Sequence, residues 1–301
     1  MRLILFGMLV YFCSAIQVHG QIPEQYTNAT FLKNLYSDPW YTNLKNKVVQ
    51  KYNRAKPGRW GEFVKGVSED LNTSQKVIAL TFDACGGEKG TGFDNELIDF
   101  LEKEKIPATL FITGRWIDSH FTEFMNLAHD SLFEIENHGL NHQPCSVCGE
   151  SAYGIRGTAN ASGAFDEIEG NARKIEALTG RRPVFLRSAT AFIDEACARL
   201  ARELGITPVS FQVLSGDAGA NASKQTIKNN VLRSIRPGAV VIMHMNHPQW
   251  NTCEALRDIV PELRKMGYRF VQLHEFKLTD CQQNQQLQTL NHQTNNSAKQ
   301  F

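Results

Sequence analysis

The chain has 301 residues, of which 42% are hydrophobic and 21% are charged, and its formal net charge at pH 7 is +1. This length and apolar content are enough to bury one large core. A charge so close to zero gives no general attraction to nucleic acid or to an anionic membrane surface, so we expect a small neutral or mixed partner and no nucleic acid.

The first twenty residues have the pattern of a cleavable secretory signal. Arg2 precedes an apolar run from Leu3 to about Ile16, and small residues follow before Gln21. The run is shorter than the roughly 20 residues that a membrane-spanning helix needs, and no later segment is long and apolar enough. We therefore expect a mature chain from about Gln21, secreted, periplasmic or cell-wall associated, without stable membrane insertion.

Export changes the interpretation of the cysteines. Besides Cys13 in the signal there are six: Cys85, Cys145, Cys148, Cys197, Cys253 and Cys281. An even number in an oxidising compartment is compatible with disulfides, and fifteen pairings are possible. The Cys145–Cys148 pair lacks a second pair at zinc-ribbon spacing, so a local disulfide or two thiols is favoured over structural zinc. Sequons for N-glycosylation begin at Asn28, Asn72, Asn160, Asn221 and Asn295.

Two segments flank the regular part of the chain. Residues 21–75 mix short apolar and polar stretches, with a predicted turn at PGRWGEF (57–63), and we interpret them as an extension packed on the main domain. Residues 278–301 are rich in Gln and Asn and poor in core formers, which predicts a disordered tail.

Between them, residues 76–277 alternate short β-rich runs with segments of helical period such as ELIDFLEKEK. The runs are VIALTF, ATLFIT, LFEIEN, PVFLR, TPVSFQV, AVVIMH and YRFVQL. This alternation predicts an α/β fold with about seven parallel strands and outer helices, open or closed into a barrel. Chemistry in such folds lies at the carboxyl ends of the strands.

Most of these predicted strands end in a titratable or cationic side chain. The residues concerned are Asp83, His138, His142, Arg187, Asp217 and His244. Each alone has an ordinary explanation, such as helix capping by Asp83 or a core imidazole at His244. Their joint placement at one edge favours a functional site.

The two histidines of NHGLNHQP point to a metal. His138 and His142 are separated by three residues, a spacing at which two imidazoles can reach one divalent cation, and neutral imidazole is a favoured zinc ligand. A metal, a carboxylate and a further histidine suggest hydrolysis by an activated water. Arg187 would keep Asp83 ionised as the base, and Asp217 would raise the pKa of His244 so that it starts as the acid.

The order of these segments resembles a known family. TFD, EIENHGLNH, FLRS, SGDAG and VVIMHMNHP are similar to the five motifs of the polysaccharide deacetylase family (NodB homology, carbohydrate esterase family four), over about residues 76–277. The resemblance implies a distorted (β/α) barrel that removes acetyl groups from N-acetylglucosamine or related sugars with a bound divalent metal, commonly zinc.

By position, the resemblance makes Asp83 the general base, Arg187 the residue that tunes it, Asp217 the partner of the catalytic imidazole and His244 the general acid. It makes His138 and His142 the metal ligands.

The first motif departs from the family pattern. The family usually has a second Asp that ligates the metal, and this chain has Ala84 there, a feature that resembles a subset of secreted bacterial members. Three accounts are open: Asp83 shares the metal, Cys85 supplies a thiolate, or the two histidines bind the metal more weakly with waters. We rank the Asp83 account first, and a thiolate would favour zinc.

The segment RSATAF at 187–192 lacks the prolines that usually follow the family's Arg, so acceptor specificity does not carry over.

The last motif offers His247 as a second candidate acid. We favour His244 because it directly ends its strand.

The leading hypothesis is a secreted deacetylase acting on chitin oligomers or peptidoglycan. A polysaccharide-binding relative without activity and an amidohydrolase acting on a small amide are the alternatives.

Overall fold

The computed structural model describes residues 20–87, 90–219 and 221–281. The predicted secretory signal, apart from Gly20, and the chain after Cys281 lie outside these residues. Among the helices described, none has the length and apolarity required to cross a bilayer.

Strands and helices alternate along most of the chain. The strands are β1 (Trp60–Gly61), β2 (Ser68–Leu71), β3 (Val77–Ala84), β4 (Ala108–Ile112), β5 (Phe133–Asn137), β6 (Ser151–Ala152), β7 (Ile155–Arg156), β8 (Phe185–Leu186), β9 (Ile193–Asp194), β10 (Thr207–Pro208), β11 (Val213–Leu214), β12 (Ala239–His244), β13 (Arg269–Phe270) and β14 (Leu278–Asp280). The α-helices are α1 (Asn28–Tyr36), α2 (Pro39–Tyr52), α3 (Asn95–Lys103), α4 (Gly114–Ser119), α5 (Phe121–His129), α6 (Ala161–Phe165), α7 (Asn171–Thr179), α8 (Glu195–Glu203), α9 (Lys224–Ser234) and α10 (Thr252–Lys265). A π-helical turn, Asp166–Gly170, joins α6 to α7.

The main sheet is built around β3. Its strands follow the order β10-β8-β5-β4-β3-β12, all parallel to their neighbours in this run, and β12 continues through antiparallel β2 and β14. Every residue of β3 is buried. Its sequence is accordingly mostly apolar, since a parallel strand is covered on both faces.

The predicted strand TPVSFQV is two short strands on opposite sides of a gap. β10 pairs with β8 at one side, and β11 pairs with β12 at the other. Between them, the backbone N–H of Gln212 donates to Val240 O at 2.9 Å. The segment therefore curls the sheet into a distorted barrel with outer helices, which confirms the predicted fold.

The two faces of β3 enter different apolar clusters. Ile78, Leu80, Phe82 and Ala84 pack with residues of α3 and α10 in the layer between sheet and helices. Val77 and Ala79 pack inside the barrel with residues such as Phe111 and Val240. Because side chains alternate along a strand, Asp83 lies on the same face of β3 as Val77 and Ala79, the face toward the barrel interior.

The segment before β2 is largely helical. α2 begins with Pro39 at its first position and Asp38 as its N-cap, the cap carboxylate accepting from Trp40 N at 2.9 Å. α2 packs on α6 and the π turn, where Tyr41 Oη donates to Asp166 at 2.8 Å. The predicted turn at 57–63 is wrong in part, because β1 within it pairs with β9.

The C-terminal boundary also differs from the prediction. Residues 278–280 form β14 on β2, and Cys281 is buried, so the first four residues of the predicted tail belong to the folded domain. A strand this short carries too little sequence pattern to be recognised. The remainder of the predicted tail lies outside the described residues.

The structure contains no disulfide among the six cysteines from Cys85 to Cys281, all of which lie within the described residues. Cys145, Cys197 and Cys281 are buried in one apolar cluster as free thiols. Buried free cysteine behaves as a small hydrophobic residue, so these positions contribute to packing.

Candidate active site

Parallel pairing places the predicted base and acid side by side. Asp83 at the end of β3 is in register with His244 at the end of β12. His138 directly follows β5, and Arg187 directly follows β8. All four thus lie at the carboxyl edge of the same sheet, where parallel barrels carry their chemistry.

Asp83 is held by Arg187 inside the barrel. Arg187 Nη1 donates to Asp83 Oδ1 at 2.8 Å, and its Nη2 donates to Ser210 O at 2.8 Å. The guanidinium is fully buried and stacks 4.3 Å from the ring centre of Phe111. Burial pushes the pKa of Asp83 up, but the positive charge of Arg187 and the neighbouring His138 and His244 push it down, and the net direction is lowered. Asp83 is therefore an ionised carboxylate.

His244 is oriented by Asp217. His244 Nδ1 lies 3.1 Å from Asp217 Oδ1, and the His244 backbone N–H donates to Oδ2 at 2.7 Å. Hydroxyls of Ser215 and Thr252 donate to the same carboxylate at 2.9 and 3.1 Å. Burial lowers the pKa of His244, but the charge and hydrogen bond of Asp217 raise it, and the net direction is raised. Because Nδ1–H points to Asp217, Nε2 is the ring nitrogen that remains free to exchange a proton with a substrate.

The other two histidines are electrically neutral. His138 Nδ1 donates to Arg187 O at 2.8 Å, which leaves the lone pair on Nε2. That nitrogen lies 3.8 Å from Asp83 Oδ2 and 3.8 Å from Cys85 Sγ. His142 Nε2 is buried and has no hydrogen-bond partner among the residues that the structure describes. Burial lowers the pKa of both imidazoles, that of His142 to about 3.

Cys85 completes a set of possible metal ligands. Ligand atoms of Cys85, His138 and His142 all lie within 4.8 Å of one another. Two neutral imidazoles, one with an orphaned nitrogen, and a thiol form a donor set that suits zinc. Asp83 is not in this set, and one of its oxygens is engaged by Arg187. The geometry therefore favours the Cys85 account over the Asp83 account that the sequence ranked first.

Ala84 faces away from this set. β3 runs through Ala84, whose side chain packs in the apolar layer under the helices, while its carbonyl accepts from Thr113 N at 3.2 Å. The side chain at position 84 therefore does not reach the candidate ligands. Cys85 is the next residue, and its carbonyl accepts from the Thr113 hydroxyl at 2.7 Å.

His247 lies beside the site and pairs with no carboxylate of the described residues. Its ring stacks on Trp250 with centroids 3.7 Å apart, and Nδ1 faces Gln249. Burial and the charge of His244 lower the pKa of His247 to about 4. A neutral imidazole is a poor proton donor, so this geometry favours His244 as the acid.

Several contributing residues were not predicted from the sequence. Ser210 and Ser215 supply hydrogen bonds through short segments without a distinctive pattern, and Thr252 begins a helix. Glu167, in the π turn, accepts hydrogen bonds from the backbone next to His142. An acidic residue in a helical segment carries no signal of such a role, because the contact depends on tertiary structure.

Together the side chains combine a proton acceptor and a proton donor on neighbouring strands. Asp83 is an ionised carboxylate ready to accept a proton, and His244 is biased toward the imidazolium form that donates one. Pairs of groups whose pKa values are pushed apart are a mark of acid–base catalysis. The neutral imidazoles of His138 and His142 lie on the Asp83 side of this pair.

Known proteins share this domain. Residues 70–209 match the family model for polysaccharide deacetylases. The peptidoglycan-N-acetylmuramic acid deacetylase PdaA of Bacillus subtilis is 24% identical over 268 residues, which cover 86% of this chain and 90% of that protein.

Solved structures give the same picture of the fold. The Bc1960 peptidoglycan N-acetylglucosamine deacetylase is 25% identical, with a TM-score of 0.61 over 72% of this chain and 95% of that one. BA3943 of Bacillus anthracis, described as a pseudoenzyme of carbohydrate esterase family 4, is 22% identical, with a TM-score of 0.56 over 70% of this chain and 67% of that one. Because a pseudoenzyme shares the fold, the question of activity depends on the residues of the site.

Proposed function

We propose that this chain is a secreted, metal-dependent hydrolase that removes acetyl groups from an N-acetylated glycan, because residues 70–209 match the family model for polysaccharide deacetylases. The observation that carries this proposal is the pairing of Asp83 with Arg187 and of His244 with Asp217 on neighbouring strands. A protein that only binds glycan has no evident need for a base and an acid held in opposite protonation states. The similarity to peptidoglycan deacetylases supports peptidoglycan as the first substrate to test, with chitin oligomers second.

Cys85, His138 and His142 would hold the metal, and we propose zinc because of the thiol and the imidazoles. When bound, a zinc ion supplies Lewis acidity for the acetyl carbonyl and makes a coordinated water more acidic. The metal-free Cys85 thiol is neutral, since burial and the charges of Asp83 and Asp217 raise its pKa. Binding as a thiolate would therefore release a proton.

The protein's own groups move the protons of amide hydrolysis. Asp83 accepts a proton from the water whose oxygen bonds to the acetyl carbon. His244 Nε2 gives a proton to the departing sugar nitrogen as the carbon–nitrogen bond breaks, so the products are acetate and a free amine. Arg187 keeps Asp83 ionised, and Asp217 holds His244 in the tautomer and charge state needed.

Acetate release tests the proposal directly. We expect the protein from Gln21 onward to release acetate from peptidoglycan or from N-acetylglucosamine oligomers, to lose this activity to background after chelation, and to recover it with zinc. Hydrolysis of a panel of small non-sugar amides is measured in parallel, and cleavage of these amides without acetate release from glycan would identify an amidohydrolase. Glycan binding that chelation does not change, without acetate release in any state, would instead identify a binding protein.

A second prediction concerns the pH profile. Because His244 must start protonated, activity should fall as pH rises through its pKa, which Asp217 raises. Asp217→Asn removes that charge, so we expect the falling limb of kcat against pH to move down by roughly one unit. Asp194→Asn is the control, since Asp194 is buried and caps α8 without touching these residues. An unmoved limb in Asp217→Asn would contradict the assignment of His244 as the acid.

A further inference from the structure

The histidine loop, residues 138–143, carries His142 and donates backbone hydrogen bonds to a carboxylate from another element. Glu167, in the π turn, accepts from Asn141 N at 3.0 Å to Oε1 and 3.1 Å to Oε2, and from Gln143 N at 2.9 Å to Oε1. Asn141 and Gln143 flank His142 on either side. The carboxylate therefore bridges the backbone around the candidate ligand.

The backbone at His142 needs such support. His142 has φ +57°, in the left-handed region that a residue with a Cβ seldom occupies. A conformation of this kind persists only where surrounding contacts determine it. The hydrogen bonds from Asn141 N and Gln143 N to Glu167 supply such contacts on both sides of His142.

Glu167 fits the loop closely. Its main-chain carbonyl accepts from Leu140 N at 3.0 Å, so both backbone and side chain contact the histidine loop. A Cβ placed on Gly139, which has φ +88°, would lie 2.3 Å from Glu167 Oε1. The π turn, an irregularity often found near functional sites, brings the carboxylate to this position.

Within the described part of the chain, Glu167 has no ion-pair partner that would explain its burial. It is 2% exposed and makes no salt bridge with any residue that the structure describes. Burial raises its pKa to about 7, against the lowering effects of the backbone hydrogen bonds and of the Arg115 charge. Glu169, two residues later and equally buried, differs because it pairs with Arg173 and Arg182. The contacts of Glu169 are thus structural, while those of Glu167 converge on the histidine loop.

We propose that Glu167 is a positioning residue that fixes the backbone on both sides of His142 and so aims this imidazole at Cys85 and His138. The proposal deepens the proposed function and rests on it where metal affinity is concerned. Supporting groups behind metal ligands typically change affinity by 10–100-fold when replaced.

The test compares Glu167→Gln and Glu167→Asp with the matched control Glu169→Gln. Gln turns an N–H₂ group toward the backbone donors, and Asp pulls the carboxylate back by one methylene. In metal-free protein, imidazole ¹H–¹⁵N NMR should show the His142 resonances shifted or broadened in both Glu167 variants, with His138 as the internal reference. Zinc competition should then show roughly 10–100-fold weaker binding in both, with little change in Glu169→Gln.

Each outcome decides the proposal. Altered His142 resonances with weaker zinc binding in a folded Glu167 variant support it. Unchanged His142 resonances and unchanged affinity in either folded Glu167 variant, with only a lower Tm as in Glu169→Gln, overturn it. The NMR measurement needs no bound metal. If the wild-type protein binds no zinc, the proposed function fails, while the resonances of His142 still decide whether Glu167 positions it.

Discussion

Replacing Asp83 by Asn is expected to lower kcat for acetate release by about 10³-fold. The amide of Asn cannot accept the proton that leaves the attacking water, although it keeps the size of the carboxylate. The lowered pKa of Asp83 means that the wild-type base is already ionised at neutral pH, so the loss should persist at every pH above that pKa. Single-turnover acetate release at saturating glycan measures the effect.

Stability must be measured alongside activity in Asp83→Asn. The variant leaves the buried Arg187 without its carboxylate, and breaking a buried pair typically costs about 3–5 kcal/mol. Asp94→Asn is a suitable control, because Asp94 is a buried carboxylate that caps α3 through Leu97 N. A folded Asp83→Asn protein with near wild-type kcat would remove Asp83 from the base role. Zinc affinity that is retained while kcat falls would identify Asp83 as base and not as ligand.

Cys85→Ala is expected to weaken zinc binding by about 100-fold or more. Loss of a residue that only hydrogen-bonds to a metal ligand can lower metal affinity by up to about 100-fold, and Cys85 is proposed as a direct ligand. Replacement of zinc by cobalt(II) gives a second readout that does not depend on activity. A sulfur-to-cobalt charge-transfer band should be present in the wild-type protein and absent from Cys85→Ala. Cys85→Asp, which restores a carboxylate near the site, should lose the band but recover part of the affinity.

The control for Cys85 is Cys253→Ala, which removes a buried free thiol outside the candidate site. It should keep both the band and the affinity. If Cys85→Ala also keeps them, the metal is held by the histidines with water or with Asp83, and the thiol is a packing residue. The comparison therefore separates the accounts that the sequence left open.

The barrel could be predicted because each parallel strand has a strong apolar run, but its closure could not. TPVSFQV has the composition of one strand, and composition does not specify pairing partners. The structure divides it between β8 and β12. β14 was missed for a related reason, since its three residues gain strand structure only from β2.

The positions of the proposed acid and base could be predicted from strand ends, whereas the proposed ligand set could not be completed. Asp83 and His244 follow strong apolar runs, so their common edge follows from topology. Preference for Asp83 over Cys85 as third ligand ignored the guanidinium that occupies one oxygen of Asp83, a contact between residues 104 positions apart. Glu167 depends on a π turn, for which sequence has no clear signal.

The docking of α1 has a consequence for the order of folding. Asn28, its first residue, donates to Leu140 O across 112 positions and accepts from Lys174 across 146 positions. A helix of nine residues has little stability alone, so α1 orders only when these distant partners are in place. Contacts so far apart in sequence form slowly. The first α-helix of the described chain thus depends on the assembled domain, and Leu140 of the histidine loop receives its hydrogen bond from Asn28 only when α1 is docked.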